Sequence, residues 1–157
     1  GSEMCIRDRY GGNQKVSILQ EIDYLKTYIA LRKLRMSERL RLRVEFPPEL
    51  NELNIYPLLF LPLVENAFKY VGGDYQLDII MKWENNRISL FIRNSIPELS
   101  AEDEALRKSV DERQRKGIGL VNLRRRLSLL YPSKHRLETR KEETEFVAEL
   151  MIEIEEI

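Results

Sequence analysis

Hydrophobic residues fall at helical spacing from Ser17 onward. One row recurs at intervals of three, four or seven positions: Ile18, Ile22, Leu25, Ile29 and Met36. Because such intervals place side chains on one side of a helix, the pattern predicts an amphipathic helix in the first part of the chain. Ser17 and Gln20 are placed as a capping box at its start.

A second apolar row widens the hydrophobic side of this helix, although Arg32 interrupts the first row. The members of the second row are Tyr24, Tyr28, Leu31 and Leu34. A helix with so broad an apolar side is expected to be covered from more than one direction. It could form a dimer or coiled-coil seam, or it could lie on its own domain, and the residues alone favour the second arrangement.

Alternating apolar and polar residues predict five strands in the remainder of the chain. The segments are RLRLRVEF (39–46), QLDIIMKW (76–83), RISLFIRNS (87–95), HRLETRK (135–141) and TEFVAELMIEI (144–154). A short polar link of Glu84, Asn85 and Asn86 is suited to a hairpin between the second and third segments.

Two further helices are predicted, at residues 57–71 and at GLVNLRRRLSLLY (119–131), and Pro62 leaves the first turn of the former uncertain. Residues 96–116 lack periodicity and suggest a mobile surface loop. The resulting order is helix, strand, helix, two strands, loop, helix and two strands. It predicts an α+β two-layer sandwich, with a mixed, mostly antiparallel sheet and helices on one face, after a long N-terminal helix.

Composition narrows the class of function for this chain of 157 residues. Its 26 basic residues equal its 26 acidic residues, and no basic tract is interleaved with aromatic residues, which argues against nucleic-acid binding. The longest apolar run, residues 55–64, contains two prolines and is too short to span a bilayer. The lone cysteine, Cys5, excludes an internal disulfide framework and a cysteine-based zinc site.

Polar residues gather on one side of the helix predicted at 57–71. Its apolar side is formed by Phe60, Val64, Ala67, Phe68 and Val71. Asn66, Lys69 and Tyr70 share the opposite side, with Glu65 at its margin. An amide oxygen beside a carboxylate suits a Mg²⁺ ion that carries phosphates, and Lys69 could neutralise a phosphate. Judged on these residues alone, a solvated polar face is the favoured alternative.

Two other segments could bind a nucleotide. Gly117 and Gly119 open directly into a helix whose first N–H groups are unpaired and can accept an anion, and Lys116 adds positive charge. Asn94 ends a predicted strand, where its amide could both donate to and accept from a base edge. By itself, a short Gly-x-Gly is weak evidence and an asparagine is a commonplace turn residue.

Taken together, these segments resemble a known family. LPLVENAFKY (61–70) resembles the N box, and GIGLVNLRRRLSLLY (117–131) the second glycine box, of the ATP-binding domain shared by histidine kinases, DNA gyrase, Hsp90 and MutL. LQEIDYLKTYIALRKLR (19–35) is similar to LytS/YehU-type sensor histidine kinases, in which this helix is the second of the dimerisation pair. The resemblance extends from about residue 15 to the C-terminus.

The resemblance implies the Bergerat (GHKL) fold and a phosphoryl-transfer site that works by positioning and charge neutralisation. It makes Asn66 the Mg²⁺ ligand and Glu65 the group that orients water or the transferred phosphoryl. Lys69 would face phosphate and Asn94 the adenine of ATP, beneath a lid at 96–116. The other nucleotide contacts that it implies are Tyr70, Lys116, Gly117, Ile118, Gly119 and Leu120.

The resemblance also divides the chain. Residues 1–14 are interpreted as a tag, cloning-derived or linker segment, because they lack periodicity and begin with Gly-Ser. Residues 15–38 would be part of a dimerisation helix, and residues 39–157 the ATP-binding catalytic domain. The implied whole protein is a homodimeric kinase that is anchored in the bacterial inner membrane, with this domain in the cytoplasm and a response regulator as its partner.

The chain departs from the family pattern at three points, and each changes the expected function. Asn94 stands where the family has an aspartate, and Ser95 and Ile96 follow it in place of glycines, so a lower nucleotide affinity is expected. Tyr70 replaces a common histidine. The phosphoacceptor histidine is expected upstream, since His135 is read as a surface residue, and the chain alone should not autophosphorylate. The alternative function is a catalytically silent nucleotide-binding or dimerisation module.

Overall fold

The computed structural model describes residues 14–48, 50, 52–98 and 118–155, and of residues 118 and 119 it describes only the backbone. This part of the chain forms three helices and seven strands. The helices are α1 (Ile18–Arg35), α2 (Leu61–Tyr70) and α3 (Ile118–Leu130). The strands are β1 (Val16–Ser17), β2 (Arg41–Glu45), β3 (Asn54–Ile55), β4 (Gln76–Glu84), β5 (Arg87–Ser95), β6 (His135–Lys141) and β7 (Glu145–Glu153).

Five strands form the main sheet in the order β2-β4-β5-β7-β6. The pair β2–β4 is parallel and the other three pairs are antiparallel. The predicted fold class, an α+β sandwich with a mixed and mostly antiparallel sheet, is therefore confirmed. The β4–β5 hairpin turns at Asn85 and Asn86, both with positive φ (52° and 61°), as a tight two-residue turn requires.

Alternate side chains of the central strands face the helices and form the core. Leu77, Ile79 and Met81 of β4 are buried beside Ile88, Leu90 and Ile92 of β5. Phe146, Ala148, Leu150 and Ile152 of β7 continue this layer. Because successive residues of a strand point to opposite faces, the period of two in the sequence reports this burial directly.

The predicted N-terminal helix is present as α1, and Ser17 is its N-cap. The Ser17 hydroxyl accepts a hydrogen bond from the N–H of Leu19 at 3.2 Å. The first apolar row is buried at Ile18, Ile22, Leu25 and Ile29 and belongs to the same core as the sheet. In the second row, Tyr28 packs on the core, but Leu31 and Leu34 are 58% and 82% exposed, so the described residues leave part of this row uncovered.

Local structure differs from the prediction before each of the first two helices. β1 and β3 form a two-stranded antiparallel sheet that the pattern did not reveal, because two-residue strands carry no periodicity. The second helix begins at Leu61 and not at Pro57, since residues 57–60 form a turn in which Leu58 has a φ of 59°. Most of the predicted lid at 96–116 lies outside the described residues. Among the helices described, none has the length and apolarity needed to cross a membrane.

Candidate functional site

The two sides of α2 are arranged as the sequence predicts. Leu63, Val64, Ala67 and Phe68 are buried. Glu65 and Lys69 are exposed and Asn66 and Tyr70 are half-buried, and the ammonium of Lys69 lies 5.4 Å from the centre of the Tyr70 ring. We call these four residues the α2 polar side. Two carboxylate or amide groups and a cation therefore remain accessible along one side of a fixed helix.

The C-terminal end of α2 meets the end of β5 through two glycines. Gly73 has a φ of 62°, and a Cβ atom on it would lie 2.7 Å from the carbonyl oxygen of Ile96. A Cβ on Gly72 would lie 3.2 Å from the ring of Pro97. Only a residue without a side chain permits this close approach of the two backbones. The glycine pair therefore brings α2 directly to the strand end where the adenine contact is predicted.

Ser95 fixes this contact with three hydrogen bonds. Its hydroxyl donates to the carbonyl of Gly72 at 2.7 Å and accepts from the N–H of Gln76 at 2.8 Å. Its carbonyl accepts from the N–H of Gly72 at 2.9 Å. Ser95 is only 8% exposed, so these bonds are largely shielded from water. We call Gly72, Gly73, Asn94 and Ser95 the α2–β5 junction.

Asn94 lies at the end of β5, on the sheet face that the helices cover, and pairs with Leu77 of β4 and Phe146 of β7. Its amide nitrogen is 3.4 Å from the carbonyl of Ser95, and the residue is 1% exposed. On the opposite face, the Arg93 side chain donates to the Asp78 carboxylate at 2.9 Å and holds the ends of β4 and β5 together. A base could reach the Asn94 amide only if the covering atoms move.

α3 packs against α2, which brings the second predicted segment to the first. Leu123 and Leu127 are buried, and Leu120 is 2% exposed, so these side chains belong to the core. Ile118 and Gly119 form the first helical residues, and Lys116 and Gly117 lie outside the described part of the chain. The segment that resembles the second glycine box is therefore helical from Ile118 onward, on a helix that packs against α2.

α1 borders the α2 polar side. The Tyr28 ring packs edge-on against Phe68 with ring centres 6.1 Å apart, and the Arg32 guanidinium lies 5.8 Å from the same ring. Burial raises the pKa of Tyr28, Arg32 lowers it, and the nearby carboxylate of Glu65 raises it further. The Tyr28 hydroxyl thus lies within the electrostatic influence of both Arg32 and Glu65.

The arrangement can hold phosphate groups and a hard cation, but it supplies few ligands of its own. Within the described residues there is no cluster of three or more acidic, histidine or cysteine side chains that could hold a metal ion. A cation at Asn66 would therefore depend on oxygens from a bound phosphate and on water, which is the coordination that Mg²⁺ favours. The cavities of about 410 Å³ beside Arg124 and about 250 Å³ beside Tyr56 include none of the predicted site residues.

Several residues of this region were not predicted as site residues. Gly72, Gly73 and Ser95 form the junction, and the GG pair directly after the N-box segment was the signal that could have identified it. Arg32 was noted only as an interruption of an apolar row. A basic residue within a buried row is a signal for a specific partner, which here is the Phe68 ring.

The fold is that of histidine kinase catalytic domains. The catalytic domain of the histidine kinase ThkA superposes on this chain with a TM-score of 0.59 and 16% sequence identity. The match covers 90% of this chain and 96% of the ThkA chain. The mycobacterial sensor histidine kinase MprB matches 92% of this chain and 99% of its own, with a TM-score of 0.55 and 14% identity. Full-length ShkA, solved in complex with AMPPNP, has a TM-score of 0.60 over 90% of this chain and 31% of its own, at 15% identity.

In sequence, the chain is similar to the sensor protein kinase HptS of Staphylococcus aureus (strain USA300). The two are 28% identical over 127 residues, which is 78% of this chain. The chain spans only 24% of the length of HptS. No family model matches the chain.

Proposed function

We propose that this chain is the ATP-binding catalytic domain of a two-component sensor histidine kinase, which phosphorylates a histidine on an upstream segment of the whole protein. The observation that carries the proposal is the convergence of three separate segments: α2 packs against β5 and α3, and it brings its accessible polar side with it. The similarity to HptS and the shared fold support the same function.

The α2 polar side would bind the phosphate end of the nucleotide. Asn66 would supply an oxygen ligand to Mg²⁺, and Lys69 would neutralise phosphate charge without being buried itself. Bound Mg²⁺ would offset negative charge on the phosphates during transfer. Glu65 is exposed, one residue before Asn66, and would orient the attacking group.

The adenine end of the nucleotide would bind at the α2–β5 junction, and the start of α3 would contact the phosphates. Asn94 would take the place of the acceptor of the adenine amino group. The first N–H groups of α3, from Ile118 to Leu120, would contact the phosphates, together with Gly117 and the charge of Lys116. Tyr70 would border the base or ribose. Since Asn94 is 1% exposed, nucleotide binding would require a local rearrangement around it.

Calorimetric titration of the chain with Mg-ADP tests whether the nucleotide site exists. Binding heat and a rise in the melting temperature at millimolar Mg-ADP are expected, because a ligand that binds only the folded state stabilises it. Guanosine diphosphate with Mg²⁺ is the matched control for base selectivity. The absence of both heat and stabilisation at millimolar nucleotide would remove the proposed function.

Phosphoryl transfer is a separate question, because the buried amide of Asn94 favours a second candidate, a nucleotide-binding or dimerisation module without transfer activity. Adding the upstream helix with its histidine, and following the labelled γ-phosphate of ATP, distinguishes the two. Label on the added helix that depends on Glu65 supports the kinase. Nucleotide binding without label transfer supports the silent module.

The exposed row of α1 supports a homodimer of the whole protein. Tyr24, Leu31 and Leu34 are 43%, 58% and 82% exposed on a helix whose other apolar row is buried in its own domain. We extend the proposal to a LytS/YehU-type kinase in which these helices pair, with the domain in the cytoplasm of a membrane-anchored protein and a response regulator that receives the phosphoryl group. Sedimentation of a chain extended by its upstream helix tests the pairing.

A further inference from the structure

The turn that leads into α2 does not stabilise itself. Leu58 has a φ of 59°, a left-handed conformation that costs a residue with a Cβ about 1 kcal/mol. Phe60 stands at the N-cap position and makes no side-chain capping hydrogen bond, and Pro62 lies in the first turn. The start of α2 therefore depends on groups from elsewhere in the molecule.

Two distant side chains supply those groups. The carboxylate of Glu21 in α1 accepts a hydrogen bond from the N–H of Leu58 at 3.0 Å. From α3, the guanidinium of Arg126 donates to the carbonyl of Pro57 at 2.9 Å and to that of Leu58 at 3.3 Å. Both polar groups of the Leu58 backbone are thus bonded to charged side chains on two different helices.

The Glu21 carboxylate is buried and has few hydrogen-bond partners. Glu21 is 2% exposed, and its second carboxylate oxygen has no hydrogen-bond partner among the described residues. Burial raises the pKa of Glu21, whereas the Leu58 N–H and the charge of Arg126 lower it. Burial likewise lowers the pKa of Arg126 and the charge of Glu21 raises it. The Glu21 carboxylate therefore serves to accept the hydrogen bond from the Leu58 N–H. A hydrophobic residue of similar size would fill the same space but could not accept that hydrogen bond.

We propose that Glu21 and Arg126 are positioning residues for α2: together they set where the helix begins, and so fix the α2 polar side relative to both α1 and α3. The consequence for nucleotide binding rests on the proposed function, whereas the positioning itself does not. Since Asn66 lies little more than one turn into α2, a change at Leu58 reaches it through a rigid helical segment.

The arrangement also links α1 to the candidate site. Glu21 lies near the start of α1, between the buried residues Ile18 and Ile22. A displacement of α1 would separate the Glu21 carboxylate from Leu58 and release one of the three bonds on the turn. This buried hydrogen bond therefore couples the position of α1 to that of Asn66, in addition to the packing of Tyr28 on Phe68.

Amide hydrogen exchange on the whole chain tests the positioning. In Glu21→Ala and in Arg126→Ala, we expect exchange at Val64–Ala67 to rise by about tenfold relative to β5 and β7, the factor that corresponds to losing a hydrogen bond to a charged group. Glu21→Gln keeps an acceptor for Leu58 and should restore most of the protection. Asp23→Ala and Arg125→Ala, which alter exposed residues of the same two helices, are the matched controls and should leave the ratio unchanged.

The ratio of amide exchange in α2 to that in β5 and β7 separates a positioning role from a general loss of stability. Lower global stability raises exchange in α2 and in the sheet together and leaves this ratio unchanged. An unchanged ratio in both alanine variants would overturn the proposal. If either alanine variant fails to fold, Glu21→Gln and Arg126→Lys decide the question. A lysine lacks the two planar donor nitrogens with which Arg126 reaches both carbonyls, so exchange in α2 should rise in Arg126→Lys and not in Glu21→Gln. Equal exchange in these two variants would overturn the proposal.

A parallel Mg-ADP titration separates this proposal from the proposed function. If the unaltered chain binds Mg-ADP, the alanine variants are expected to bind it several-fold more weakly, and Glu21→Gln close to normally. If the unaltered chain does not bind Mg-ADP, the proposed function fails, and the exchange ratio still decides whether Glu21 and Arg126 position α2.

Discussion

The two ends of the candidate site are built in different ways. In the α2–β5 junction, Gly72, Asn94 and Ser95 are buried, with Ser95 8% and Asn94 1% exposed, and the junction is held by backbone approach and hydrogen bonds. The α2 polar side presents Glu65 and Lys69 to solvent, on the side of the helix opposite its buried residues. One end is fixed before any ligand binds, whereas the other offers side chains that a ligand must order.

This difference predicts different responses to mutation. Changes in the junction should act first on folding, because they disturb buried contacts between segments that are far apart in sequence. Changes on the polar side should leave stability almost unchanged and act on ligand binding, because exposed side chains contribute little to the folded state. Variants that affect stability and ligand binding in the same way at both ends of the site would contradict this distinction.

The largest effect is expected for Gly73→Ala. The new Cβ would lie 2.7 Å from a backbone oxygen at a φ of 62°. We expect the free energy of unfolding to fall by about 2 to 3 kcal/mol in urea titrations, since strained backbone and the displaced neighbour both contribute. Gly72→Ala is the control, because its Cβ would meet the exposed ring of Pro97 at 3.2 Å. Equal losses in the two variants would mean that the close approach at Ile96 is not the cause.

Ser95→Ala should have the next largest effect. It removes both hydroxyl hydrogen bonds and leaves the N–H of the half-buried Gln76 without that partner. The expected loss is about 1 to 2 kcal/mol in the free energy of unfolding. Ser89→Ala, on the same strand but half-exposed, provides the comparison for strand propensity. A loss of the same size in Ser89→Ala would show that the hydrogen bonds of the junction do not cause the loss in Ser95→Ala.

Asn66→Ala should act on the ligand instead of the fold. We expect a melting temperature close to that of the unaltered chain and a roughly tenfold loss in ADP affinity that is seen only with Mg²⁺ present, because the amide oxygen would be a direct ligand. The measurement is the ratio of ADP affinities with Mg²⁺ and with EDTA. If that ratio is retained, Asn66 is not the ligand.

Lys69→Ala should give the smallest effect of the four. The side chain is exposed and lies over the Tyr70 ring, so it can contribute only a screened attraction to phosphate. A roughly threefold loss of Mg-ADP affinity is expected at low salt, and it should shrink as the salt concentration rises. Lys82→Ala, an exposed lysine on β4, is the charge-matched control. A larger loss that does not depend on salt would place Lys69 in direct, desolvated contact with the nucleotide.

Local pattern determined most of the elements and the side of each that is buried. RISLFIRNS and HRLETRK coincide with β5 and β6 as observed, and the apolar side of α2 is correct at Val64, Ala67 and Phe68. These features follow from periodicity, because repeated burial on one face leaves a repeated trace in the sequence. The roles of Glu65, Asn66, Lys69 and Asn94 came from the resemblance and remain predictions.

Only the tertiary structure decided how distant segments meet. The parallel placement of β2 beside β4, the turn at Leu58 with its contacts to Glu21 and Arg126, and the approach of Gly73 to Ile96 have no local period. Each depends on contacts between residues far apart in the chain, and such contacts leave no repeating local pattern. The sequence by itself thus determined the helices, the strands and their buried faces, and the packing of α1, α3 and β5 around α2 determined whether a site could form between them.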